Sequence, residues 1–470
     1  MSIAKLLLFS LLLFLLNACS IDDGSVTQVD TIPIATTDTN TTTDTNTTTD
    51  TNTTTIIEPY QVTKVSIPTV VIIMNWTDYS ESNTTLWYNK FFNHSTKSVN
   101  QWYDEALGGE YELSPVSESS GTINDGIIMV TMGIAHPGDS NDTIFRDTHI
   151  SNAIQDTEVV NNMDFTLYDT NSDGILSNKE LQIIFIVAGG EASFGDSQAS
   201  SIWAHAWSYD STSTLKVDGM LVMRTDANSS LSGKYARFGA NHGTHSATIG
   251  IIVHEIGHSF FNLGDYYNDN VGNGSGLGWY DVMSGGSWAS KVSDSYSGET
   301  PTQLSVFNKI DANLDLNVSD INSSTNVTLR CSSREFIKLL TSKSNEYFLI
   351  ECRDTAKTYS DISFNNADNT FSENKLFMMA YHVDTNKADN TEDGAQTSTN
   401  HYKVALIEKD TATLMTATSN INADYNDVYL VGDTINTSAT FLYDGSATNY
   451  ALEVLSQDTT NRTMTLGITK

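Results

Sequence analysis

Ten residues near the middle of the chain constrain it most: Ile249-Gly250-Ile251-Ile252-Val253-His254-Glu255-Ile256-Gly257-His258. The run before the histidines is apolar all round, so as a helix it must lie between other layers rather than on a surface. On that helix His254 and His258 stand at i and i+4, one turn apart on one face. Two imidazoles so placed can share one Zn2+ at about 2.0–2.1 Å each. Glu255 lies beside them and can reach a water in the metal's open position rather than the metal. Zinc lowers the pKa of such a water to about 7, and a carboxylate there can take its proton. Peptide hydrolysis needs these residue types at this spacing, with Glu255 as general base. A third protein ligand is required. Gly264 is expected to cap the helix and turn Asp265 back toward the histidine pair. Asp265 is the candidate ligand, Asp269 and Asp281 are its rivals, and the other reading of Asp265 is a residue that orients a ligand histidine.

The chain carries 24 basic and 57 acidic residues, 24 − 57 = −33, which excludes a binder that works by neutralising nucleic-acid phosphates. Its 470 residues suggest more than one domain. From residue 61 the sequence becomes globular. Thr69–Met74, Ile127–Met132 and Leu181–Val187 are apolar, β-branched runs suited to strands buried on both faces. Ser98–Leu107 reads as a helix stopped by Gly108-Gly109, and Thr143–Met163 as mostly helix. Strands alternating with helices predict an α/β (α+β) catalytic domain over 61–317. Beyond it, short stretches such as YFLIEC, LFMMAYHV and DVYLV, separated by turn residues, predict a β-rich, sandwich-like C-terminal domain over 318–470.

The first sixty residues address the compartment. A basic start and the apolar run Leu6–Leu16, too short to span a bilayer, read as a signal peptide. Leu16-Asn17-Ala18-Cys19 is similar to a bacterial lipobox, so 1–18 is expected to be removed and Cys19 lipidated. An ordinary secretory signal is the alternative. Residues 19–60 contain Asp-Thr-Asn-Thr-Thr-Thr three times in succession, from Asp38, Asp44 and Asp50, with nothing to bury. They are expected to form a disordered tether with a reach of roughly 35–40 Å. The chain would then be an exported lipoprotein at the outer membrane or cell surface, or released from it. With Cys19 lipidated, the two remaining cysteines, Cys331 and Cys352, are expected to form a disulfide in that oxidising compartment, against two buried thiols.

A second ion is expected at residues 169–180. Asp169, Asn171 and Asp173 fall at positions 1, 3 and 5 of an EF-hand loop, with Gly174 at the sharp turn, the Ile175 carbonyl at position 7 and Glu180 at position 12. A strand follows instead of a second helix. Ca2+ here would therefore be structural, stapling the strand entry; an acidic turn without the ion is the bland reading.

These motifs and several others resemble the immune inhibitor A family of secreted bacterial zinc metallopeptidases. Leu263-Gly264-Asp265-Tyr266 looks like the family's Leu-Pro-Asp-x-Tyr after the second histidine. Gly278-Trp279-Tyr280-Asp281-Val282-Met283-Ser284-Gly285-Gly286-Ser287-Trp288 is similar to its Trp-Asp-Leu-Met-Ala-x-Gly-Ser-Trp segment. Ser98–Glu105 resembles its Ser-Val-x-x-Tyr-Tyr-x-Glu helix, and Ser201–Trp207 also has a family look. The likeness covers roughly residues 65–315, with weaker echoes such as Tyr381-His382-Val383-Asp384. It implies a zincin-like catalytic fold, with Met283 as the Met-turn residue beneath the metal. Two departures matter. The family's third ligand lies ten residues after the first histidine, where this chain has Gly264; Asp265 is one further. The sizeable propeptide of the family's better-known members has no visible counterpart.

The leading expectation is a zinc endopeptidase, tethered or secreted, monomeric, acting on protein or peptide substrates. An inactive adhesin or binding module, and a zinc hydrolase of a non-protein surface polymer, are the alternatives. Glu255 speaks against the first, since a structural zinc has no use for it. Tyr266, Tyr267 and Tyr280 are equal candidates to stabilise the oxyanion. His205 reads as a packed residue between two tryptophans, and His242 and His245 as loop residues.

Overall fold

The computed structural model describes residues 62–95, 97–138, 142–195, 200–225, 233–268, 276–291, 293–357, 359, 375–390, 397–409 and 427–470. The expected signal peptide over 1–18, Cys19, the tether over 19–60 and the rival ligand Asp269 lie outside them. Among the described residues no helix is long and apolar enough to cross a membrane.

The first sheet grows around β1 (Val65–Asn75), whose Val70–Met74 are all fully buried. On one edge β1 pairs in parallel with β2 (Tyr111–Pro115) and then, further along, with β3 (Ile127–Thr131). Its other edge pairs in parallel with β4 (Gln182–Glu191). Short β5 (Ser201–Ile202) follows, then β6 (His205–Trp207) and a small separate hairpin of β7 (Lys216–Val217) and β8 (Met220–Leu221). Strand β9 (Tyr235–His242) runs parallel to β4, and β10 (His245–Ser246) closes the sheet antiparallel to β9. The side chains alternate between two cores. Val71 and Ile73 enter one with helices α1 (Thr84–Phe91), α2 (Val99–Ala106) and α3 (Ile249–Phe261). Val70, Ile72 and Met74 enter the other with Phe145, Ile150, Ile154 and Val159 of the helical stretch 142–162. Each buried Val or Ile contributes about 1.5–3 kcal/mol, and both faces are covered, so the strands read as continuous apolar runs.

Local signals start and stop the helices. The Asn83 side chain accepts from the Leu86 N–H and Ser98 from the Gln101 N–H, each satisfying an orphan donor of a first turn. Gly108 and Gly109 follow α2 with φ of 63° and 72°, the left-handed region where glycine costs least. The stretch expected as helix over 143–163 is interrupted at Gln155-Asp156, where the Asp156 side chain caps the second segment by accepting from the Glu158 N–H.

After the short helix α4 (Val306–Asp311) come two further sheets. One has the order β11 (Asn317–Ile321), β13 (Glu335–Leu339), β14 (Glu346–Asp354), β15 (Leu376–Asp384), β16 (Val404–Leu406). The other has β12 (Thr325–Arg330), β19 (Thr463–Thr469), β18 (Ala451–Asp458), β17 (Thr434–Ile435). They share a core that includes Ile337, Phe348, Met378, Leu452 and Leu466. The Cys331–Cys352 disulfide, 21 residues apart in sequence, joins the end of β12 to β14 and so ties the two sheets together. Closing a loop of that size is worth about 3 kcal/mol.

Two strands depart from the one-sided burial of a two-sheet sandwich: all nine residues of β14 and all nine of β15 are buried. The second sheet covers one face. The other face, with Leu349, Phe377, Met379, Tyr381 and Val383, belongs to the same core as Val253 and Ile256 of α3. The five-stranded sheet thus shares one continuous core with the histidine helix.

Candidate metal centre

Helix α3 is buried from Ile249 to Phe260 and spans about 20 Å. It ends earlier than expected. Asn262, not Gly264, takes the left-handed cap conformation, at φ 57° and ψ 31°. The ring of His258 explains the tight turn: its Nδ1 meets the Leu263 carbonyl at 2.7 Å, drawing the chain back across the last turn. Asp265 follows immediately and comes to face both imidazoles.

Its Oδ1 lies 3.2 Å from His254 Nε2 and 3.2 Å from His258 Nε2, and the two Nε2 atoms are 3.1 Å apart. Among the described residues, His254, His258 and Asp265 form the set of ligand groups that converges within 4.8 Å. A tetrahedral ion that holds donors at about 2.0–2.1 Å sets them about 3.3 Å apart, so the triangle has the size zinc requires. Orientation agrees with size. His254 Nδ1 lies 2.8 Å from the Val282 carbonyl and His258 Nδ1 2.7 Å from that of Leu263. A carbonyl only accepts, so both protons sit on Nδ1 and both Nε2 lone pairs point at the carboxylate. Three electron-pair donors facing one another need a cation between them. Without one they draw in a proton: burial opposes it, but Asp265 and Glu255 raise His254 to about 9. Burial pushes Asp265 up, but His258 and His254 outweigh it and hold it well below the usual carboxylate range.

Glu255 is 1 % exposed, and its Oε2 has no hydrogen-bond partner. Burial raises its pKa above the ordinary glutamate value, against the pull of the two histidines. Desolvation of this kind makes an ionised carboxylate a stronger base.

Beneath the helix runs the segment Leu277–Trp288. Gly250 and Gly257 lie two turns apart on the same stripe as His254 and His258. A Cβ on Gly257 would strike the Met283 sulfur, and one on Gly250 would strike the Ser287 carbonyl. Both glycines therefore let this segment approach the helix backbone, placing Met283 under the histidine turn. Asp281, the rival ligand, is committed elsewhere. Its Oδ1 accepts from the Met283 N–H at 2.7 Å and its Oδ2 from the Ser305 N–H and Asn308 Nδ2 at 2.8 and 2.7 Å, which anchors the Met283 turn.

The remaining sequence candidates separate. The Tyr280 hydroxyl donates to Asp427 Oδ2 at 2.9 Å in a fully buried setting, while Tyr266 and Tyr267 are 2 % and 8 % exposed. His205 sits 3.1 Å from the Tyr235 hydroxyl and faces Asp142, a packed residue. His242 is buried, stacked on Phe194 and beside Trp288. In the 169–180 loop, Asp169 Oδ2 accepts from the Gly174 N–H at 3.0 Å, and Asn171 and Asp173 each accept from backbone N–H groups two residues on. Glu180 reaches both ends of the loop, accepting from Thr170 and Asn171 on one oxygen and from Ser177 on the other. The Val282 and Leu263 carbonyls escaped the sequence reading because any residue offers a carbonyl. The glycine pair at i and i+7 is the signal in the sequence for that close approach.

A family model described as immune inhibitor A peptidase M6, catalytic domain, matches residues 37–314. Immune inhibitor A of Bacillus thuringiensis subsp. alesti is 32% identical over 151 residues, which are 31% of this chain and 20% of that protein. The pre-pro-metalloprotease PrtV of Vibrio cholerae serotype O1 is 25% identical over 229 residues, 45% of this chain and 23% of that protein. These matches span about a fifth to a quarter of the length of either relative. A crystal structure of wild type OgpA from Akkermansia muciniphila covers 70% of this chain and 93% of its own at 8% identity, with a TM-score of 0.26, too low for any argument from fold.

Proposed function

The chain belongs to the immune inhibitor A peptidase M6 family, and from that membership we propose that it is a zinc endopeptidase with a zincin-like catalytic domain. One observation carries the reading: three buried ligand atoms within 3.2 Å of one another, two of them imidazole nitrogens whose protons are held on the far side of the ring. His254, His258 and Asp265 would hold the metal. Zinc, when bound, supplies a Lewis acid for the scissile carbonyl and lowers the pKa of the attacking water. Glu255 takes the proton of that water at its carboxylate and returns it to the leaving amine. Met283, packed against Gly257, keeps the floor of the site rigid, and the carbonyls of Val282 and Leu263 fix the two rings.

The test is cleavage of unfolded casein by the zinc-loaded protein. Cleavage is expected, to stop when a chelator strips the metal and to return when zinc is restored. A zinc-loaded protein that leaves casein whole refutes the reading and favours a binding module or a hydrolase of another polymer.

The proposal extends to a surface enzyme anchored by lipid at Cys19 and to Ca2+ in the loop of Asp169, Asn171, Asp173, Ile175 and Glu180. The glycine at the sharp turn, with φ 77°, and the spacing of the oxygen-bearing residues along the loop support the ion. Calcium at a hundredfold excess over its Kd is expected to add about 2.7 kcal/mol of stability. Glu180→Gln should abolish that gain, and an identical gain in both proteins removes the ion from this loop.

A further inference from the structure

We propose that Arg353, on the C-terminal sheet, is a positioning residue for the metal centre, gripping with Asp427 the segment that orients both His254 and Asp265. The inference rests on the zinc reading above.

Arg353 is fully buried on β14. Its Nη1 donates to the Tyr280 carbonyl at 2.8 Å, across 73 residues of sequence. Its Nη2 donates to Glu351 Oε1 at 2.7 Å, and the Tyr381 hydroxyl donates to the same oxygen at 2.5 Å. Burial pushes Glu351 up, but Arg353 and Lys309 hold it below its ordinary value, so the pair is ionic. Tyr280 is held a second time through its hydroxyl, which donates to Asp427. One residue is thus clamped at its backbone and at its side-chain tip, both times from the C-terminal region.

What Tyr280 belongs to makes the clamp matter. Two residues on, the Val282 carbonyl accepts the Nδ1 proton of His254 at 2.8 Å. One further, the Met283 carbonyl accepts from the Tyr266 N–H at 2.8 Å, and the Tyr266 carbonyl accepts from the Leu277 N–H at 2.9 Å. Tyr266 is the immediate neighbour of Asp265. The segment from Leu277 to Met283 therefore touches one ligand ring directly and brackets the residue beside another ligand. A guanidinium suits this task because its planar fork can serve a carbonyl and a carboxylate together, which an ammonium on a flexible stem cannot. The C-terminal sheet is on this account part of the metal site, not a detachable module.

The experiment compares Arg353→Met, Arg353→Lys and Tyr280→Phe with the parent protein and with Leu466→Ala. Leu466 lies in the far core between the two C-terminal sheets, so that variant lowers stability without touching the clamp. Each is loaded with zinc, and release to excess chelator is timed well below its unfolding temperature; Co2+ absorption spectra report the ligand geometry. Arg353→Met is expected to release zinc about 10- to 100-fold faster with altered Co2+ bands. Arg353→Lys should recover thermal stability, since it keeps a cation beside Glu351, but not slow release. Tyr280→Phe, close in shape and safe to fold, should fall at the lower end of that range. Parent-like release and spectra in Tyr280→Phe and Arg353→Lys overturn the proposal, whether or not Arg353→Met folds. So does fast release in Leu466→Ala, which would mark a general effect of stability. A parent protein that takes up no zinc would instead sink the metal reading itself.

Discussion

Glu255→Gln is expected to keep its zinc and to lose casein cleavage by about 10²–10⁴-fold. The amide copies the shape of the carboxylate and leaves His254, His258 and Asp265 in place, but it cannot take a proton from water. The loss should appear in kcat with little change in KM, because the group acts on the reacting atoms and not on bound peptide. Stability gives an independent readout. Burial raises the folded pKa of Glu255. A raised carboxyl binds more protons folded than unfolded, so its contribution to stability is greatest at low pH and falls as pH rises past the ordinary glutamate value. The Gln variant lacks that slope. In the metal-free proteins it should be at least as stable as the parent at neutral pH. A variant that keeps zinc and still cleaves casein at the parent rate would remove Glu255 from the mechanism.

Asp265→Ala is expected to lose the metal. Apparent zinc affinities of about 10–16 kcal/mol for a structural site of four ligands imply about 3 kcal/mol or more for one ligand, a drop of roughly a hundredfold in affinity. The two remaining imidazole Nε2 atoms lie 3.1 Å apart with no third protein ligand among the described residues facing them. Isothermal titration of the stripped protein with zinc, with a competing chelator present, measures the change. Zinc bound by the variant within a few-fold of the parent would show that Asp265 merely orients a histidine and that another group completes the centre. Asp281 is poorly placed for that, since its carboxylate already serves Met283, Ser305 and Asn308.

Much of the centre was legible because it is local. Helical spacing alone sets two imidazoles on one face. The apolar run before them demands burial, and α3 is buried almost end to end. The strand cores at Val70–Met74 and Ile183–Val187 announced themselves as unbroken apolar runs for the same reason. Asp265 was within reach as a candidate because only a short turn separates it from His258, although the turn closes at Asn262 rather than Gly264. The cap was misread because a left-handed asparagine competes with glycine, and the His258–Leu263 contact that favours the earlier stop depends on the folded ring.

The sequence by itself determined the chemistry on offer: a histidine pair at one helical turn, a carboxylate between them and another just past the helix. Tertiary structure decided what surrounds those groups. It set Asp265 against the histidine pair, occupied Asp281 with donors from Met283, Ser305 and Asn308, and turned the rings with carbonyls that any residue could supply. It seated Met283 and Ser287 against two glycines, and it brought Arg353 to Tyr280 across 73 residues. The division has a physical cause. Spacing along a helix is set by backbone geometry within one turn. Contacts between distant segments depend on which faces of the sheets cover one another, and β14, buried on both sides, left no alternation in the sequence to say so.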